Sequence, residues 1–140
     1  MTDACRSILE DYSVIAVVGL STDPGKAAHS VPAAMQGAGF RVVPVHPTAA
    51  EILGERAYPT LIDIPEPVEL VNIFRPSAEA PDIARQAVEI GARAMWLQLG
   101  LRSAQARQIA EDAGLRYVED RCIAIERTRY GVSKRLGQPT

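Results

Sequence analysis

The sequence predicts an α/β fold, an open parallel sheet with helices on both faces, in three layers. Three observations predict it. Short apolar, β-branched runs recur at Val14–Val18, Arg41–Val45, Leu70–Phe74, Ala94–Leu97 and Arg116–Val118. Runs this short and this apolar suit parallel strands buried on both faces. Helix-period patterns alternate with them, and the connections are short, which implies right-handed crossovers. The expected strand order, counting those runs along the chain, is 3-2-1-4-5.

The elements follow in order. A helix over roughly Thr2–Asp11 precedes the first strand, which ends at Gly19. A second helix is expected from about Ser30 to Ala38, with Pro32 in its first turn, where a missing N–H costs nothing. Pro44 strains the second strand, because proline removes a ladder donor, and is assigned to the strand's exit. The stretch Thr48–Pro67 departs from the alternation and reads as a short helix at Ala49–Leu53 followed by a proline-rich loop. Ile83, Ala87 and Ile90 share one face of a helix from about Glu79, closed by Gly91. Ala106, Ile109, Ala110 and Ala113 share a face of another, opened by Ser103 and closed by Gly114. The pattern is Rossmann-like. One domain over residues 1–130 is expected, with a frayed tail over Gly131–Thr140 whose composition is that of a linker.

Composition narrows the function classes. A chain of 140 residues, 47% apolar and 23% charged, has the makeup of one soluble globular domain. A net charge of −2 argues against a general nucleic-acid or anionic-membrane surface, so any anion site must be local. Cys5 and Cys122 match neither a zinc pattern nor a disulfide framework. The start "MTDACRSILEDYSV" lacks a basic region, and the apolar run after it is too short for a signal peptide or a membrane span. A cytoplasmic protein is expected.

Chemistry is sought at the carboxyl ends of the strands, where open α/β sheets hold ligands. The stretch "VIAVVGLSTDPGKAAHS" delivers an apolar strand into a loop with Gly19, Leu20, Ser21, Lys26 and Ser30. It fits neither well-known phosphate fingerprint. Five residues separate Gly19 from Gly25 where a P-loop has four, and Ala27 follows Lys26 where Ser or Thr is needed. Ser21 and Pro24 replace the second and third glycines of the dinucleotide pattern. Even so, a helix start near Ser30 suits a phosphate, with a hydroxyl from Ser30 and a point charge from Lys26. Read singly, Ser30 caps its helix and Lys26 is a solvated lysine.

The second strand exits through Val45, His46 and Pro47 without the acid that reads the ribose of a nicotinamide dinucleotide. That absence is compatible with a ribose carrying a phosphate, while His46 taken alone is a turn residue before proline. Phe74 and Arg75 end the third strand, and Arg75 either meets ligand or pairs with Glu79 one turn on. Gln98 is either a buried amide satisfying loop backbone or a ligand contact, with Gly100 beside it. Cys122 follows Arg121, and reads as a small buried hydrophobe or as a reactive thiol. No catalytic set or metal cluster assembles. Glu119 and Asp120 are adjacent and point to opposite sides of an extended chain. A binding protein is expected, not an enzyme.

Five segments together resemble the small coenzyme A-binding protein family, single domains similar to the CoA-binding domain of succinyl-CoA synthetase and other NDP-forming acyl-CoA ligases. They are "VVGLSTDPGKAAHSVPAAM", "GFRVVPVHP", "ILGERAYPTLIDIPEPVELVNIFRP", "IGARAMWLQLG" and "DRCIAIE", spanning about Tyr12 to Arg129. The resemblance implies coenzyme A or an acyl-CoA as ligand. It implies that Gly19, Leu20, Ser21 and Ser30 meet the pyrophosphate and that Lys26 fills a position often basic. Val45, His46 and Pro47 would lie beside the adenosine, with Phe74 and Arg75 on the adjacent strand end. The family commonly has Asn where this chain has His46. Gln98 and Gly100 would border the pantetheine arm, whose thiol would then approach Cys122. The ligases carry a phosphorylatable histidine in a following domain that this chain lacks, so it should not make acyl-CoA alone. Two rivals stand beside a CoA-binding module: an NAD(P)-dependent oxidoreductase, by fold analogy, and a subunit supplying the CoA half of a ligase. A protein partner or a second copy of the chain is compatible with each.

Overall fold

A computed structural model describes residues 3–134 of the chain. The expected alternation is present. Helix α1 spans Ala4–Asp11, with the Asp3 carboxylate accepting from the Cys5 N–H at 2.7 Å as its cap. Then come β1 Val14–Val18, α2 Ala27–Gly37 and β2 Arg41–Val45. A small hairpin follows, β3 Glu51–Ile52 and β4 Glu55–Arg56. The chain closes with β5 Leu70–Ile73, α3 Ala80–Glu89, β6 Ala94–Leu97, α4 Ala104–Asp112, β7 Arg116–Val118 and α5 Ile123–Tyr130.

The fold class is the expected one, a five-stranded parallel sheet between two helical layers, but one strand changes place. The order is β2-β1-β5-β6-β7. The third strand of the sequence reading, β5, pairs with β1 through Ile15↔Leu70 to Val18↔Ile73. It was expected beyond β2. Pro44 gives the physical reason. Its carbonyl accepts from the Tyr58 N–H at 3.0 Å on the outer side of β2, whereas Val45 O faces β1 and accepts from the Gly19 N–H. Backbone groups alternate sides along a strand, so the donor that Pro44 lacks belongs to the outer edge. A full parallel neighbour there would need that N–H. Proline therefore marks β2 as the edge strand, and it sits inside the strand, not at its exit.

The segment after β2 covers this edge without a helix. Tyr58 bridges Val45 in parallel, and Arg41 is paired with Glu55 of the hairpin and Glu66 of the following loop. The short helix expected at Ala49–Leu53 is replaced by the hairpin. Leu53 and Gly54 both take left-handed φ values, 57° and 74°, forming the tight turn that strand twist favours. Five residues alone gain too little from helical bonds to nucleate, whereas the hairpin buries Ile52.

Each sheet face carries its own core. Helices α1, α2 and α5 cover one, with Ile8, Leu9, Met35 and Ile123 packed on Ile15, Val17, Leu70 and Trp96. Helices α3 and α4 cover the other, with Ile83, Ala84, Ala106 and Ala110 on Val71, Ile73, Met95 and Leu97. Trp96 is fully buried, and its indole N–H donates to Arg121 O at 2.9 Å.

Residues 131–134, assigned to the tail by the sequence reading, belong to the fold. Val132 is buried, the Lys134 N–H donates to Ala38 O, and Lys134 Nζ donates to Glu10 O. The fold therefore runs at least to Lys134, and the remainder of the expected tail lies outside the described residues. Among the described residues no helix is long and apolar enough to cross a membrane, and no cluster of potential metal ligands forms.

Candidate functional site

Strand order reverses between β1 and β5, since the crossover through α2 runs one way and those through α3 and α4 the other. A cleft of about 820 Å³ opens at the carboxyl ends of these strands, within the size of small-molecule sites. Its walls come from Gly19–Ser21 and Lys26 after β1, from Val45–Pro47 at the end of β2, and from Phe74 and Arg75 after β5. Those nine expected residues are brought together. The far wall is the face of α3 carrying Asp82, Ile83 and Gln86, with Thr60 and Leu61 above it.

The loop after β1 is tightly determined. Gly19 has φ +90°, and a Cβ there would stand 2.9 Å from Arg75 Cδ and 3.2 Å from the Phe74 carbonyl carbon. The Asp23 N–H donates to Ser21 Oγ at 3.0 Å and the Gly25 N–H to Asp23 Oδ1 at 2.9 Å. Ser21 Oγ thus accepts one bond from the loop backbone and has its own proton left to give. Helix α2 starts at Ala27, with Lys26 at the N-cap and no side-chain cap. The Ala27 and Ala28 N–H groups have no partner among the described residues, and a helix start of this kind favours anions. Lys26 has no ion-pair partner among the described residues and is exposed.

Arg75 already has an acidic partner. Arg75 donates to Glu79 through Nε at 3.1 Å and Nη2 at 2.7 Å, the salt bridge that was one of its two sequence readings. That guanidinium holds the Glu79 carboxyl below the usual carboxylate range. Lys26 is therefore the lining cation with no acid beside it.

His46 also shows the turn role. Its Nδ1 accepts from the N–H groups of Thr48 at 3.1 Å and Ala49 at 2.9 Å, as an Asn side chain would. An acceptor Nδ1 places the ring proton on Nε2.

Four expected residues stand apart from the cleft. Ser30 is neither the helix start nor its cap, because α2 begins three residues earlier. Gln98 lies on the α5 side of the sheet, where its Oε1 accepts from Asn72 Nδ2 at 3.3 Å and the Ile123 N–H at 2.9 Å. This is the buried-amide alternative. The Gly100 N–H donates to Asp120 Oδ1 at 2.7 Å. Cys122 is the half-buried N-cap residue of α5. Cys5 is different: burial pushes its thiol up to about 12, so it stays protonated at neutral pH.

Sequence reasoning missed the α3 face and Thr60–Leu61. Misplacing the third strand moved α3 away from the cleft. A signal for Thr60 existed, since Thr-x-x-Asp is a capping pattern, and Asp63 Oδ2 accepts from Thr60 N and Oγ1 at 3.1 and 2.9 Å.

Comparison with known proteins agrees with the fold. Residues 13–128 match the family model described as a CoA binding domain. A relative in Bacillus subtilis, the uncharacterized protein YneT, is 39% identical over 86% of this chain and 89% of its own length. A hypothetical protein from Pyrococcus horikoshii has the same structure at a TM-score of 0.90, with 34% identity and 94% of each chain covered. An ADP-forming acetate–CoA ligase of Archaeoglobus fulgidus is 28% identical over 86% of this chain, which spans 19% of that enzyme. The chain belongs to the CoA-binding domain family, of the succinyl-CoA synthetase type.

Proposed function

We propose that this protein binds coenzyme A or an acyl-CoA, with no reaction of its own, through the cleft at the β1/β5 switch point. The observation that carries the reading is the wall after β1. There Lys26, which makes no ion pair among the described residues, Ser21, whose hydroxyl proton is left to give, and Ala28 at the uncapped start of α2 line the same stretch of the cleft. The pyrophosphate sits on that wall, and the adenosine lies between His46 and Phe74. His46, with its proton on Nε2, then offers a donor where an NAD-binding site needs a ribose-reading acid. This favours coenzyme A over NAD. The pantetheine arm leaves along the carboxyl edge towards Gly100 and Cys122, bringing the thiol near the N-cap of α5. Because the matched part is about a fifth of the acetate–CoA ligase, any acyl transfer would need groups from outside the matched domain. The setting is the cytoplasm, where coenzyme A meets reduced cysteines.

Titration with coenzyme A tests this. Lys26→Ala weakens binding about tenfold at low ionic strength, the low end of a charge-assisted bond's worth. The loss shrinks in high salt, as screening requires. Ser30→Ala changes affinity less than about twofold, since Ser30 stands off the cleft. Equal affinities for wild type and Lys26→Ala place the anion elsewhere.

A further inference from the structure

Pro32 lies well inside α2, five residues after its first residue. An interior proline removes the bond from residue i to the carbonyl of residue i−4, so the carbonyl left over is that of Ala28. It is not left unpaired. Ala28 O accepts from the Ser21 N–H at 3.0 Å. One residue further on, His29 Nδ1 lies 2.7 Å from Ser21 O, and since a carbonyl only accepts, Nδ1 carries the proton. Both backbone groups of Ser21 are thus held by adjacent residues of one helical turn.

From this we infer that Pro32 and His29 are positioning residues for the ligand loop: the proline frees the Ala28 carbonyl to anchor Ser21, and the histidine fixes the same residue from its other side. The inference rests on the coenzyme A reading for its consequence, but the anchoring does not. With its N–H given to Ala28 O and its C=O and Oγ each accepting one bond, Ser21 keeps one donor for an anionic ligand, its hydroxyl proton. A loop loosened at Ser21 pays an ordering cost each time ligand binds. This also accounts for a buried proline where helix stability alone disfavours one.

Pro32→Val tests the inference, since it keeps the ring's approximate volume and supplies the missing N–H. The helical bond to Ala28 O can then form, and it competes with the Ser21 N–H for that carbonyl. Amide hydrogen exchange at Ser21 should speed up about tenfold, coenzyme A affinity should fall about five- to tenfold, and the melting temperature should not fall. His29→Ala should weaken binding similarly. His29→Asn should stay near wild type, because the Asn Nδ2 can take the place of Nδ1 as donor. Unchanged exchange at Ser21 in Pro32→Val overturns the inference. So does a loss of affinity that comes only with a lower melting temperature, or a His29→Asn no better than His29→Ala. If the wild-type chain binds no coenzyme A, the proposed function falls, and the exchange measurement alone decides whether Pro32 places Ser21.

Discussion

Gly39→Ala is expected to destabilise the protein by about 3 kcal/mol, the sum of a strained backbone and a lost packing contact. Gly39 has φ +97°, and a Cβ there would lie 1.2 Å from Lys134 O and 2.3 Å from the Lys134 carbonyl carbon. Those are main-chain atoms and cannot rotate aside. The segment from Gly131 to Lys134 must therefore leave, taking with it the bond from the Lys134 N–H to Ala38 O and the burial of Val132. An exposed Val132 costs about 1.5 kcal/mol or more, and a neutral hydrogen bond about 1 kcal/mol. Urea denaturation of wild type, Gly39→Ala, a chain shortened after Tyr130, and the combination reads this directly. In the shortened chain the substitution should cost only the strain of alanine at this φ, about 1 kcal/mol, because the obstructing carbonyl is gone, and the cycle isolates the docking term. A cost under about 0.5 kcal/mol in the full chain, typical of an uninvolved surface change, contradicts the docking of Lys134.

Gly19→Ala should act on binding instead. An alanine at φ +90° is strained by about 1–3 kcal/mol, and its Cβ presses on Arg75 Cδ and on the Phe74 main chain. Arg75 can swing away by giving up Glu79, but the Phe74 carbonyl carbon cannot. The loop relaxes to another path in the free protein. Restoring the ligand-ready path then costs coenzyme A about 10- to 100-fold in affinity, that strain expressed as a binding ratio. Calorimetric titration of the variant checks it, with the melting temperature as the control for folding. Affinity within about threefold of wild type would mean that the Gly19 turn does not shape the pyrophosphate wall.

What was legible in the sequence follows from what each element must bury. The strand runs Val14–Val18, Arg41–Val45, Ala94–Leu97 and Arg116–Val118 match the structure to the residue, because a strand covered on both faces has no room for polar alternation. Helix α4 was marked at both ends, and the Ser103 hydroxyl does accept from the Ala106 N–H at 3.0 Å. Helix α2 carried no such mark. Its N-cap, Lys26, makes no side-chain cap bond, and Pro32 reads as a first-turn residue when the bond from the Ser21 N–H to Ala28 O is not visible. The hairpin was hidden in a similar way, since Leu53 is not a residue expected at a left-handed φ. Pro44 was the most informative signal available. Taken as an edge-strand mark, it excludes the order that set a further strand beyond β2. That order also decides how much of the site can be foreseen. Residues at strand ends keep their place at the carboxyl edge under either order, so Gly19, His46 and Arg75 were found. The α3 face with Asp82 and Gln86 reaches the cleft only because β5 lies against β1.

Ligand choice is where coenzyme A binding is tested most directly. Calorimetry of the purified chain with coenzyme A, dephospho-CoA, NADH and NADPH, under one buffer and salt, compares the four on the same site. Coenzyme A should bind most tightly, because the β1–α2 wall suits a pyrophosphate and His46 replaces the acid that an NAD ribose requires. NADH binding more tightly than coenzyme A would contradict the assignment.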